Sequence, residues 1–355
     1  MKRVLLGLAA IALAVAVPLP ATAMQSHPGQ HGGKTPDNLR ELSKKIKVYI
    51  GSAVDVATLA DDAGYRRTLN REFTHVTGEN AMKWSEVEPQ RGQFTWEGAD
   101  AVVRNAQRND QKVRGHTLVW HNQLPEWLTA GVADGSIGAP ELRRILRDHI
   151  FKEVGRYRGK IRAWDVVNEV VDDDGKMRDT IWLQKLGPGY IADAFRWAHE
   201  ADPHAKLYIN DYNLEWNAAK IDQTLNIVKD LKAKRVPIHG IGFQGHLGIQ
   251  YDYPGDFPSV MKRFTDLGLE AAITEADVRM VLPVTPEKLA TQADYYKRML
   301  QTCVDNRRCV EFTVWGFTDA HSWVPGWFDG EGAATIMDEN LVPKPAYGAL
   351  LSVRK

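Results

Sequence analysis

From residue 39 onward, short runs of apolar and β-branched residues alternate with longer stretches whose apolar positions recur every three or four residues. The short runs fall at 47–53, 73–77, 113–118, 163–167, 206–209, 240–243, 270–274 and 310–314, and each reads as a strand bounded by turn-forming residues. The longer stretches, among them 100–111, 140–157, 190–201, 220–234, 256–267 and 287–305, read as amphipathic helices. Eight strand–helix units without an internal linker predict an α/β fold of the (β/α)8 TIM-barrel class, in one domain over 39–355. The competing arrangement is an open doubly wound sheet. No glycine-rich phosphate-binding turn follows an early strand, which argues against it.

Two segments precede this pattern. Lys2 and Arg3, an apolar run over 4–17, then Pro18, Pro20 and Ala21-Thr22-Ala23 predict a signal peptide over 1–23, its apolar run short for a bilayer span. Residues 24–38 are rich in Gly, Pro, His and Gln and read as a flexible leader. The expectation is a secreted protein, extracellular or periplasmic, with no membrane attachment after cleavage. Basic and acidic side chains number 45 each. Two of the basic ones, Lys2 and Arg3, lie in the signal, so the remainder is slightly negative. Such a balance gives no attraction to nucleic acid or an anionic membrane, and points to a neutral partner. Export permits Cys303 and Cys309 to pair as a disulfide, and two cysteines cannot complete a structural zinc site.

A barrel of this class builds its active site at the C-terminal ends of its strands. Polar residues of chemical interest fall where the apolar runs stop: Glu79 and Asn80, His116 and His121, Asn168 and Glu169, Asn210 and Asp211, Gln244 and His246, Glu275 and Asp277, and Trp315 with Asp319. The fourth strand ends in WDVVNE and the seventh in AITEAD, which sets Glu169 and Glu275 across the barrel mouth. Glycoside hydrolysis needs two carboxyl groups flanking the scissile bond, one to donate a proton and one to carry charge. Neighbouring carboxylates also drive one another's pKa values apart.

The segments GENAMKW (78–84), RGHTLVWHNQLP (114–125), WDVVNE, YINDYN (208–213), GIGFQGHL (240–247), ITEAD and VWGFTDAHSW (314–323) occur in order, each at a strand end. On these motifs the chain resembles glycoside hydrolase family 10, the retaining endo-β-1,4-xylanases, over roughly 39–353. The resemblance implies Glu169 as general acid/base and Glu275 as nucleophile. Asn168 would bond the sugar 2-hydroxyl, His246 would orient Glu275, and Asp277 would hold His246. Glu79, Asn80 and Lys83 would grip xylose on the non-reducing side. His116, Trp120 and Gln244 would line the sugar at the cleavage point, with Trp315 and Trp323 as aromatic floor and wall and Tyr212 as a further contact. Trp327 is an additional candidate, whereas His121 is read as lying outside the site. The implied partners are xylan and xylo-oligosaccharides, acted on by a monomer without cofactor or metal.

Asn122 stands where the family often has Ser, Ala276 where Leu is usual, and Phe317 where a small aliphatic is usual, while 321–332 departs most. Three rival readings differ in class. A β-glucan or β-mannan hydrolase would share both glutamates, and the Glu79–Asn80–Lys83 set argues against it. A binding barrel needs no acid–nucleophile pair. A metal hydrolase would use His116, His121 and His246, but strand one offers no His-x-His pair.

Overall fold

Asn38, assigned above to the leader, is part of the fold. Its side chain accepts from the Glu41 amide at 2.9 Å and caps the helix Leu39–Ile46. The computed structural model describes residues 36–355, so the expected signal peptide and nearly all of the leader lie outside the described residues. Lys47, expected to open the first strand, ends that helix instead, with a left-handed φ of 60°. Phe73, expected to open the second strand, likewise closes the helix Ala63–Glu72 by donating its amide to Leu69.

Eight strands follow one another around a closed ring: β1 Tyr49–Val54, β2 His75–Gly78, β3 Lys112–Val119, β4 Ala163–Asn168, β5 Lys206–Asp211, β6 Gly240–Phe243, β7 Glu270–Val281 and β8 Cys309–Val314. Each pairs in parallel with the next, and β8 pairs with both β7 and β1. Helices Ala63–Glu72, Glu97–Arg108, Ala139–Arg156, Tyr190–Ala201, Ala218–Ala233, Phe257–Thr265, Pro286–Asp305 and Pro345–Leu351 each follow a strand and cover the ring, which is the (β/α)8 arrangement. Covered outside and filled inside, the strands are buried along nearly their whole length, and this explains runs that read as continuously apolar.

Strand β7 runs well past its expected end at 274. Its outer half pairs with two short strands, His246–Gly248 in parallel and Glu331–Gly332 antiparallel. Glu275 and Asp277 therefore sit within a strand rather than after it. Cys303, near the end of the helix before β8, is bonded to Cys309, the first residue of β8. No helix of the described residues is long and apolar enough to cross a membrane.

The barrel interior holds a charged core that the apolar runs concealed. Arg114 on β3 is fully buried. Its Nε and one Nη donate to the two Glu311 oxygens at 2.9 Å, and its other Nη donates to Asp165 at 2.7 Å. A buried guanidinium is tolerated only when its fork is satisfied in this way. Asp165 passes the contact upward, its second oxygen lying 3.0 Å from His116 Nδ1.

Candidate active site

The C-terminal ends of the strands surround a cleft of about 680 Å³. Glu79, Asn80, Lys83, His116, Trp120, Asn168, Glu169, Tyr212, Gln244, His246, Glu275, Trp315, Trp323 and Trp327 all line it, and Asp277 lies just behind His246.

Glu169 follows the last residue of β4 with a left-handed φ of 56°. That turn projects its carboxylate into the cleft, where Trp120 Nε1 donates to Oε2 at 2.9 Å, and Gln244 and Asn168 donate to Oε1 at 3.1 and 3.2 Å. Arg178 donates from Nε to the Glu169 carbonyl at 2.7 Å, bracing the turn from beneath. Glu275 is more enclosed, and is met at Oε1 by the Asn210 amide at 2.7 Å and at Oε2 by His246 Nε2 at 3.2 Å.

His246 Nδ1 lies 2.9 Å from Asp277, which also accepts from Trp323 Nε1 at 2.7 Å. Burial alone would lower the imidazole pKa, but the charges and hydrogen bonds of Asp277 and Glu275 push it up to about 10. His246 is therefore a cation at neutral pH, with both ring nitrogens committed to carboxylates. Burial in turn would raise Glu275. The His246 hydrogen bond, the His116 and His246 charges and the Asn210 amide outweigh it and hold the carboxyl below its usual range.

Asn210 was visible in the sequence as a strand-end residue but was not counted in the site. Its amide donates to both Glu275 and the Asn168 side-chain oxygen Oδ1, the latter at 2.9 Å, so a chain of amides links the two glutamates. Thr274 fixes it by donating to its oxygen at 2.6 Å. His121, placed outside the site above, lines the cleft with Nε2 3.9 Å from Glu169. Gln123, Arg178, Arg279 and Phe328 line it too. Their residue types carry no signal of their own in a sequence.

On the side of β2, Lys83 donates to the Asn80 oxygen at 3.0 Å, Gln123 donates to the same atom at 3.2 Å, and the ammonium lies 5.0 Å from the centre of the Trp120 ring. Burial pushes Glu79 up to about 6, opposed by Lys83 and reinforced by Asp55. Trp315 extends β8 and stands edge-on to His116, with ring centres 5.3 Å apart. Tyr212 meets the cleft, but its hydroxyl accepts from Arg178 at 2.7 Å and its ring lies 3.3 Å from the buried Lys220 ammonium. Trp323 is edge-on to His246 at 5.1 Å, and Trp327 beyond it is 70% exposed.

The profile of Glycosyl hydrolase family 10 matches residues 38–353. Over 307 residues the chain is 46% identical to an endo-1,4-beta-xylanase of Agaricus bisporus, covering 86% of this chain and 90% of that enzyme. It is 44% identical over 318 residues to endo-1,4-beta-xylanase B of Thermotoga neapolitana, covering 88% and 90%. Among solved structures, native xylanase 10B from Thermotoga maritima superposes with a TM-score of 0.84 at 44% identity, over 88% of this chain and 96% of that one. Xylanase 10B from Thermotoga petrophila, solved in complex with xylobiose, gives 0.85 at 42% identity, over 90% and 97%. With its closed barrel, paired glutamates and a match over nearly all the described residues, the chain belongs to glycosyl hydrolase family 10.

Proposed function

We propose that the protein is an endo-1,4-β-xylanase that cleaves xylan with retention, Glu275 acting as nucleophile and Glu169 as acid/base. The observation that carries this reading is the unlike setting of the two glutamates. Glu275 is enclosed and kept anionic by a histidine that is itself held charged by Asp277. Glu169 reaches into the open cleft on a left-handed turn, contacted by an indole and two amides that hold its carboxyl in place.

In the first step a Glu275 oxygen attacks the anomeric carbon as the glycosidic C–O bond breaks, and the Glu169 proton passes to the departing oxygen. In the second step Glu169 takes a proton from water, the hydroxyl attacks the same carbon, and the Glu275 carboxylate is released. Asn168 faces the cleft beside both acids and suits the 2-hydroxyl of the reacting sugar. Xylose lacks the hydroxymethyl arm of glucose, so Trp323 can close over that position. The named activity of the family relatives supports xylan as the substrate. Residues 1–23 are read as an export signal, and 39–355 as a single catalytic domain acting as a monomer.

Proton NMR of the first product from an aryl xylobioside tests the mechanism. Retention requires the β-anomer before mutarotation, and an initial α-anomer would contradict it. Sugar release from xylan but not from cellulose or mannan derivatives separates this reading from other barrel glycosidases with the same glutamates.

A further inference from the structure

Gly245 joins two residues that serve different catalytic carboxylates: the Gln244 amide donates to Glu169 at 3.1 Å, and His246 Nε2 lies 3.2 Å from Glu275. The joint is made at a φ of +78°, where a side chain is strained, and a Cβ there would also stand 3.1 Å from Ile273. On one side the segment is laced to β7. The Gln244 carbonyl accepts from Glu275 N at 2.9 Å, and the Gly245 carbonyl accepts from Asp277 N at 3.4 Å. The Gly245 N–H makes a different contact and donates to a side chain. Glu215, in the loop between β5 and the helix Ala218–Ala233, brings Oε1 to 2.7 Å from it. Glu215 is 1% exposed and lies outside every motif that pointed to the site.

A buried peptide N–H without an acceptor carries the full loss of its hydration. A short bond to a buried carboxyl oxygen satisfies it. We propose that Glu215 is a positioning residue, its carboxylate fixing the Gln244–His246 joint so that Glu169 and Glu275 keep their donors at the same time. This rests on the assignment of those two glutamates above. Because both contacts leave from one joint, releasing it disturbs catalysis more than it disturbs binding of sugars elsewhere in the cleft.

The test compares wild type with Glu215→Leu, Glu215→Asp and Glu215→Gln on an aryl β-xylobioside, at a temperature where circular dichroism shows each to be folded. Leu removes the acceptor, Asp keeps the charge but shortens the reach, and Gln keeps an oxygen at the same reach. The expected result is a kcat loss of roughly 10- to 100-fold for Leu and Asp, with KM within about threefold, and recovery of most of the loss in Gln. If Leu does not fold, Asp and Gln decide the matter between them. Wild-type kcat in the Leu or Asp variant would overturn the inference. So would a Gln variant as impaired as Asp, because the acceptor atom would then not be what matters. A wild-type protein inert on both the xylobioside and xylan would instead fell the functional reading, and this inference with it.

Discussion

A nucleophilic carboxylate has to remain ionised while enclosed, although enclosure by itself favours the neutral acid. In the role proposed for it, Glu275 meets this through its neighbours: an amide on one oxygen and an imidazolium on the other, the imidazolium held by Asp277. Glu169 has indole and amide donors, and the proposed acid/base role has it exchange its proton twice per turnover, so the consequences of removing the two differ. Glu169→Ala should still form the glycosyl-enzyme from an aryl xylobioside, whose leaving group needs little help. On xylan it should lose something like 10²–10⁴-fold, the usual worth of general acid catalysis. Azide, needing no base, should then accelerate the aryl substrate and give a β-glycosyl azide. Glu275→Ala should be inactive on both, with azide giving the α-product; the reverse pattern would exchange the two roles. Trp323 has two separable functions, because it walls the cleft and also donates to Asp277. Trp323→Phe keeps a flat wall and drops the donor, so kcat should fall by about 10-fold while preference for xylosides over glucosides is kept. Trp323→Ala should narrow that preference as well. The ratio of kcat/KM for aryl xylobioside and aryl cellobioside is the measurement, and an unchanged ratio in the Ala variant would remove the steric role.

Between residue and fold, the strands show where regular pairing gives way to function. The β7–β8 register shifts between Ile273 and Ala276, across Glu275 itself, and the β3–β4 register shifts just beyond His116. Irregularities of this kind re-aim side chains and recur next to active sites. They also account for the expected end of strand seven at 274: its apolar run stops where the register changes, although the strand continues. The disulfide belongs to this scale too, because it ties the helix Pro286–Asp305 to the start of β8 across a separation of six residues. Closing so short a loop stabilises by about 2 kcal/mol in the chain-entropy model. The Cys303→Ala/Cys309→Ala pair should therefore unfold at lower denaturant by about that free energy, with kcat intact; an unshifted midpoint would show that the bridge adds nothing. Strand ends and their motifs were legible because apolar runs and chemistry change together there. Lys47 and Phe73 were misplaced because each stands just ahead of a β-rich run while its backbone closes the preceding helix. Asn210 was named at its strand end but left out of the site, and Glu215 was not named at all, because their partners are remote in the chain: Glu275 lies 65 positions from Asn210, and Gly245 lies 30 from Glu215.

At the scale of the whole molecule, stability should depend on pH through buried groups at both ends of the barrel. Inside the ring, burial lowers His75 from 6.5 to about 4, even with Glu311 nearby at 3.5 Å and with Arg114 and Arg162 adding to the shift. The folded protein thus keeps His75 neutral where the unfolded chain would protonate it, so stability is lost as pH falls from 6.5 through 4. Glu311 is the opposite kind of group. Burial would raise it, but Arg114, His75 and Arg162 bring it from 4.5 down to about 2, and its stabilisation is lost as pH falls through that window. At the mouth of the cleft His246 is raised from 6.5 to about 10, so its contribution is complete below 6.5 and disappears as pH climbs toward 10. Glu79 and Asp211, which burial raises to about 6 and about 7, act in the opposite sense and are relieved as pH falls through that range. They offset part of the His75 loss and leave the Glu311 loss dominant below about pH 4. Each limb has a slope of at most about 1.4 kcal/mol per pH unit, the value for one proton. Urea unfolding from pH 3 to 10 should trace this profile. His75→Gln should remove the histidine's share of the loss between 6.5 and 4 and leave the alkaline side unchanged, while His246→Gln should flatten the alkaline side and also alter the acid side through Glu275. If His75→Gln kept the parent slope between 6.5 and 4, the acid loss would have to come from groups other than the histidine inside the barrel.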